Sequence, residues 1–302
     1  MRPLRFLALL RRRLPQFLTA CCFAGLACLA LAPGALAGFI TPESGGSPNA
    51  DQIDSLYKII LYIAAVVFVG VEGALLYSVI KFRAKRNPVA AQIHGNTRLE
   101  VGWTVAAALI LVALTVVTFV KLPSIINPPN SSSTGNFLSA SVTQPNPPNG
   151  KKLTICVVGR QYIWRYTYGN GCLNNSYADK LPYSFTDMYV PAGVTVILDI
   201  QANDVIHSWW IPSLGGKVDA VPGYTTYTWF KADKASTPGH PVIYHGQCAQ
   251  LCGRGHAAML ATVHVLSPSD YQAWITQQQK AIQNANVQVT QLRQQLTSNG
   301  NL

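Results

Sequence analysis

The twelve residues from Cys248 to Met259, C-A-Q-L-C-G-R-G-H-A-A-M, gather two thiols, an imidazole and a thioether within a span short enough to wrap one metal centre. Thiolate and thioether are soft ligands that suit copper and iron–sulfur chemistry, whereas imidazole suits copper and zinc, so the mixture points to copper. Beyond the initiator the chain holds only Met188 and Met259, and a Met three residues after a His is poor filler. A further ligand comes from upstream. The segment D-V-I-H-S-W-W from Asp204 puts His207 at the end of a predicted strand, beside a cluster of aromatics.

One His from a distant strand, with the other ligands on a single loop near the C-terminus, is how a cupredoxin-like sandwich builds a copper site. The surrounding sequence fits that frame. L-T-I-C-V-V, Q-Y-I-W-R-Y-T-Y and V-T-V-I-L-D-I are short runs rich in Val, Ile, Thr and aromatics, separated by Gly, Pro and Asn. They predict an all-β, cupredoxin-like sandwich over residues 151–270. A mononuclear blue site uses one thiolate, two imidazoles and a weak axial Met, which leaves the second Cys surplus. Two coppers bridged by both thiolates use it, each finished by one His, and share an electron over a rigid unit. Two other readings compete: a Cys248–Cys252 disulfide, and a structural zinc on two Cys and two His. His256, Met259 and the remote H-S-W-W segment favour copper, since zinc has no use for a thioether. His240, His245 and His264 read as surface or structural residues. Cys156 and Cys172 bracket a predicted hairpin over 159–171 and are candidates for a disulfide, which spacing alone does not establish.

At 302 residues, with 49% apolar and 12% charged residues, the chain is too long and too apolar for one ordinary soluble domain. Its formal charge is +11, but Arg2, Arg5, Arg11, Arg12 and Arg13 precede an apolar run that ends in A-L-A at 35–37. This predicts a secretory signal over 1–37, whose removal takes the charge from +11 by five to +6. Leu18-Thr19-Ala20-Cys21 also resembles a lipoprotein cleavage box, though the apolar core before it is short. Export would leave Cys156, Cys172, Cys248 and Cys252 where disulfides can form. Residues 57–82 and 100–122 each supply the roughly twenty apolar positions of a bilayer crossing. The loop between them, 83–99, carries Arg83, Lys85, Arg86 and Arg98, whereas 38–56 has three acids and no Lys or Arg. The positive-inside rule makes that loop cytoplasmic, with segment 38–56 and everything after residue 122 exported. Residues 123–150 are rich in Pro, Asn and Ser and predict a solvated linker, and 271–302 predict a Gln-rich helix or frayed tail.

With these parts in place the chain resembles subunit II of the haem-copper cytochrome c oxidases, in a bacterial form. G-Q-C-A-Q-L-C-G-R-G-H-A-A-M from Gly246, D-V-I-H-S-W-W-I-P-S-L-G-G-K-V-D-A-V-P-G from Asp204 and H-G-N-T-R-L-E-V-G-W-T from His94 carry the resemblance, which runs from about 55 to 275. It implies a binuclear copper A centre on an exported domain, anchored by a two-helix hairpin against catalytic subunit I, with subunit III as a further partner. The implied ligands are His207, Cys248, Cys252, His256, Met259 and the backbone carbonyl of Gln250. Most relatives have Glu at that last position, where its side chain also helps hold magnesium at the interface with subunit I. A neutral amide is a weaker ligand for so hard a cation, so Gln250 leaves magnesium in doubt.

The resemblance also implies an electron path through Tyr162 and Trp164, although Tyr162 stands where a Trp is usual. Alternating aromatics on a strand are equally ordinary sandwich core. Glu100 matches the family's entrance for proton uptake, and its competing reading is a plain interfacial carboxylate. Glu72, deep in the first span, is expected to meet subunit I, because an ionisable group there usually faces protein or water. Ala107 replaces a Pro of the family's W-T-x-x-P, which removes the expected kink. Residues 126–302 hold 11 Lys or Arg against seven Asp and no Glu, and only Asp204 stands among the carboxylates expected to dock a donor. A neutral or acidic soluble donor follows, either a small acidic cytochrome or a plastocyanin-like protein. Membrane lipid is a partner and nucleic acid is not. Three rivals remain open: a copper-less quinol-oxidase subunit, a copper subunit of a nitric oxide reductase, and a tethered copper carrier with an exchangeable site.

Overall fold

The computed structural model describes residues 40–85, 88–89, 92, 94–132, 139–140, 147–169, 172, 181–238 and 240–298. The expected leader over 1–37 and Arg86 of the basic loop lie outside the described residues. Helices α1 (Pro48–Lys81) and α2 (Thr97–Ile126) are each long and apolar enough to cross a membrane, with a mean hydropathy of 2.5 in their most apolar stretch. They are 34 and 30 residues long. At ~1.5 Å of rise per residue both outreach a hydrocarbon layer of ~30 Å. The bounds 57–82 and 100–122 therefore mark the apolar portions rather than the helices, and residues 48–56, expected to be an exported lead-in, form the first turns of α1.

Local chemistry sets these starts. Ser47 is extended and Pro48 opens α1, where a missing N–H costs nothing. Before α2 the Asn96 side chain accepts the Leu99 N–H at 3.2 Å, and Glu100 Oε1 accepts the Asn96 N–H at 3.3 Å. Such reciprocal capping satisfies donors that a helix start otherwise orphans.

The rest is a two-layer sandwich. One sheet has the order β4 (Tyr183–Phe185), β3 (Ile163–Tyr168), β2 (Lys151–Arg160), β6 (Thr195–Ala202) and β9 (Thr226–Lys231), with β1 (Ser139–Ala140) also paired to β2. The second has the order β5 (Asp187–Pro191), β11 (Leu260–Leu266), β10 (Ile243–Cys248), β7 (His207–Trp210) and β8 (Val218–Ala220). Period-two burial packs them together: Ala261, Val263 and Val265 of β11 point inward, as do Met188 and Val190 of β5. Cys156 on β2 is bonded to Cys172.

Two expectations need correction. The segment 123–150 is not wholly a solvated linker: α2 runs on to Ile126, β1 pairs with β2, and buried Ser131 donates to Lys151 O at 2.6 Å. Nor does the sandwich end at 270. Helix α3 (Pro268–Ser298) begins earlier, and its Tyr271, Trp274 and Ile275 pack on the core because they bring the apolar area that covers β5 and β11.

The sandwich is clasped to the helix pair. Ser47 Oγ donates to Asn49 Oδ1 at 2.6 Å and accepts the Lys231 N–H at 3.0 Å, while Asn49 Nδ2 donates to Trp229 O at 2.8 Å. The Trp229 indole donates to the carbonyls of Ile125 and Ile126 at 3.0 and 3.1 Å. Lys121 reaches across from α2 to Ser55 Oγ of α1 at 2.8 Å.

Candidate metal centre

Strand pairing brings the ligand segments together. His207 opens β7 and Cys248 closes β10, and these strands are antiparallel neighbours with Cys248 opposite Trp209. The Cys248 N–H donates to Met259 O at 2.9 Å and closes the loop at its base, while the Ala249 N–H donates to Ser208 O at 2.8 Å. A short 3-10 turn, His256–Ala258, then aims His256 and Met259 back at the cysteines.

The six expected ligand groups converge. Cys248 Sγ and Cys252 Sγ stand 3.9 Å apart and unbonded, which removes the disulfide reading. Cys248 Sγ lies 3.9 Å from His207 Nδ1 and donates to the Gln250 carbonyl at 3.2 Å. Cys252 Sγ lies 3.6 Å from His256 Nδ1 and 4.0 Å from Met259 Sδ. His207, Cys248, Cys252 and Met259 are buried, whereas His256 is half-buried and faces the surface. Burial first, and the neighbouring Cys248 second, push the Cys252 thiol up to about 11. A nearby cation is what the Cys252 thiol needs to be ionised in this setting. The soft, mixed donor set fits copper: a thioether 4.0 Å from a cysteine sulfur has no use in a zinc site.

Asp204 has a structural task that the sequence did not announce. Its Oδ1 lies 2.8 Å from His207 Nε2, and its carboxylate also accepts the N–H groups of Gln161 at 2.7 Å and Val205 at 2.7 Å. Burial opposes its ionisation, but the donors Gln161, His207 and Val205 together hold its carboxyl below the ordinary carboxylate range. The acceptor at Nε2 fixes the imidazole so that the Nδ1 lone pair faces the sulfurs. Asp204 remains exposed while it makes these contacts, so its support of His207 does not remove its charge from the surface.

Trp164 is fully buried core and meets the His207 ring edge-on at 5.9 Å. Tyr162, partly exposed, lies across the ligand loop. A Cβ at Gly255 would come within 2.6 Å of its ring, and one at Gly253, where φ is +133°, within 2.6 Å of its hydroxyl. Gln161 adds a second tie, its Nε2 donating to Cys252 O at 2.6 Å. Gly253, Gly255 and Gln161 were not singled out from the sequence, although two glycines flanking Arg254 in a ligand loop signal a close approach. The Gln250 side chain is exposed, and only its carbonyl enters the site. His264 is structural: it stacks on Tyr189 at 4.8 Å with Nε2 3.4 Å from Asp187. Glu100 lies far along the chain from this centre, in the cap of α2.

Fold and site together define a cupredoxin-like metal domain carried on a pair of membrane-spanning helices. Two family models match the chain, the periplasmic domain of cytochrome c oxidase subunit II over residues 153–266 and the transmembrane domain of the same subunit over 37–120. The chain is 34% identical to cytochrome c oxidase subunit 2 of Alkalihalophilus pseudofirmus over 76% of its own length and 60% of that relative's. It is 31% identical to the probable cytochrome c oxidase subunit 2 of Rickettsia conorii, covering 87% of this chain and 79% of that one. The crystal structure of the subunit II periplasmic domain of Bradyrhizobium japonicum matches with 28% identity and a TM-score of 0.36, over 43% of this chain and 95% of that chain. The chain belongs to the cytochrome c oxidase subunit II family and is a subunit of an oxidoreductase complex.

Proposed function

We propose that this chain is the electron-accepting subunit of a cytochrome c oxidase: its metal centre takes electrons one at a time from a soluble exported donor for delivery to haem in subunit I, where oxygen is reduced to water with proton translocation. The observation that carries this reading is the convergence of two unbonded thiols, 3.9 Å apart, with two imidazole Nδ1 atoms, a thioether and a backbone carbonyl. His207, Cys248, Gln250, Cys252, His256 and Met259 would hold two copper ions, which supply one-electron chemistry when bound. The protein's part is rigidity. Strand pairing fixes Cys248, Asp204 fixes His207, and Tyr162 over the glycines fixes the loop, so little has to move when the electron arrives.

The buried cysteines disfavour an exchangeable copper carrier, and a complete ligand set disfavours a copper-less structural subunit. Gln250, with its exposed amide, offers no hard anionic ligand for magnesium. In this reading subunits I and III pack on the helix pair, Glu72 faces subunit I, and the metal domain lies on the periplasmic or lumenal side. Glu100 would serve at the proton-uptake entrance, where α2 begins on the opposite side of the membrane.

The donor docks over the ligand loop. Leu251 is 77% exposed at its apex, and partly exposed Tyr162, Val205, Ile206 and Leu260 adjoin ligand residues. This apolar surface is flanked by exposed Arg254 and by Arg160, which outnumber the exposed carboxylate of Asp204, and suits a neutral or acidic donor such as an acidic cytochrome c or a plastocyanin-like protein. Tyr162 would be the outermost residue on the electron's route and Trp164 part of its packed surroundings.

Electron paramagnetic resonance of the full chain loaded with copper in detergent tests the centre. A mixed-valence signal split by two equivalent copper nuclei is expected. The pattern of one isolated cupric ion would overturn the proposal.

A further inference from the structure

Helix α3 spans 31 residues, yet its core-packed residues, Tyr271, Trp274 and Ile275, all lie in its first turns. The remainder is rich in Gln, Asn and Thr, and apart from Ala281 and the outward Val287, 56% exposed, its apolar residues fall on one line. Ile282, Ala285, Val289, Leu292 and Leu296 follow one another at steps of three, four, three and four. That is the a and d spacing of two heptads, and it runs down one side of the helix. Val289 and Leu292 on this seam are 47% and 56% exposed. A polar helix without an apolar partner is marginal in water below about 12–15 residues, and longer ones draw most of their stability from burying such a face.

We propose that this seam pairs with the same seam of a second copy of the chain, as a parallel two-stranded coiled coil on the exported side. Three features select that occupant. The a positions hold Ile282, Val289 and Leu296, two of them β-branched, and the d positions hold Ala285 and Leu292; β-branched residues at a with Leu at d favour two strands, and the pair Val289 and Leu292 meets that rule. The flanking positions are almost free of charge: Ala281, Gln288 and Gln295 lie on one side, and the sole flanking cation, Arg293, would meet Gln288 across a parallel pair. Two identical helices therefore meet no like-charge penalty, and no acid follows Asp270 to demand a basic partner. Orientation comes from the membrane. Copies anchored through α1 and α2 share one sidedness, so their α3 helices run in the same direction, and confinement in a bilayer raises the effective concentration that so short a seam requires.

Cysteine cross-linking in membranes containing the full chain tests this. Leu292→Cys places a thiol on the seam, and Gln294→Cys places one on the outward face, two residues away. Under a mild copper-free oxidant, Leu292→Cys is expected to give at least tenfold more covalent homodimer than Gln294→Cys or the parent chain. Adding Val289→Asp to Leu292→Cys should reduce that yield by a similar factor, with near-ultraviolet circular dichroism reporting an unchanged β-domain. Equal yields at 292 and 294, a yield indifferent to Val289→Asp, or a cross-linked product containing a different protein would each overturn the proposal.

Discussion

At the scale of single residues, the centre depends on a carboxylate that binds no metal. Asp204 collects the N–H groups of Gln161, Val205 and the His207 imidazole, and so decides which nitrogen of His207 faces the sulfurs. Asp204→Asn keeps the shape and removes the charge, and one of its amide hydrogens must then oppose a donor. Losses of about 10–100-fold in metal affinity are ordinary when such a support is cut. We expect copper affinity, measured by competition with a chelator, to fall within that range while thermal unfolding of the copper-free chain changes little; an unchanged affinity would overturn this supporting role. The convergence of these side chains was legible in the sequence because Cys, His and Met at these spacings have few other uses. The supports were not. Tyr162 crosses over Gly253 and Gly255 from a distant turn, and no local pattern announces a contact made between the β2–β3 turn and a loop ninety residues on.

At the scale of elements, apolar length and period-two alternation revealed the two spans and the sandwich, whereas element ends were set by contacts between distant segments. α1 starts at Pro48 because Ser47 and Asn49 bind the β9 backbone, and α3 starts before 271 because Tyr271 and Trp274 complete the core. The same dependence shows where β2 meets β6. Asp199 lies opposite Cys156, and its Oδ2 accepts the Cys172 N–H at 3.3 Å. Burial, opposed by that N–H and by Lys152, raises its carboxyl above the ordinary value. A carboxyl whose pKa is higher folded than unfolded favours the protonated form in the native state. It therefore costs stability above the unfolded value of about 3.9, and the cost is relieved as pH falls through that window. Asp199→Asn should unfold at a higher temperature than the parent at neutral pH, and the gap should close as pH drops below about 4. Thermal unfolding of both chains across that range checks the sign, and a gap that widens in acid would contradict it.

At the scale of the whole molecule, charge bears on which donor is oxidised fastest. Residues 126–302 carry 11 cations and seven Asp, and Asp204 accepts from His207 while it stays exposed. The exposed surface above the ligand loop is apolar, with Leu251 at its apex and arginines beside it. Long-range charge governs how often a carrier arrives, while the apolar contact governs how long it stays. Ions screen the first over about 8 Å at physiological strength and leave the second almost untouched. An acidic carrier should thus react fastest at low ionic strength and slow several-fold toward ~0.15 M salt, because each added ion weakens its attraction to Arg160 and Arg254. A strongly basic cytochrome c should show the opposite trend, slow at low salt and faster once repulsion is screened. Stopped-flow oxidation of both carriers by the assembled oxidase separates these slopes. Rapid oxidation of the basic carrier at low salt, collapsing as salt is added, would mean that acidic residues of another subunit dominate the docking field.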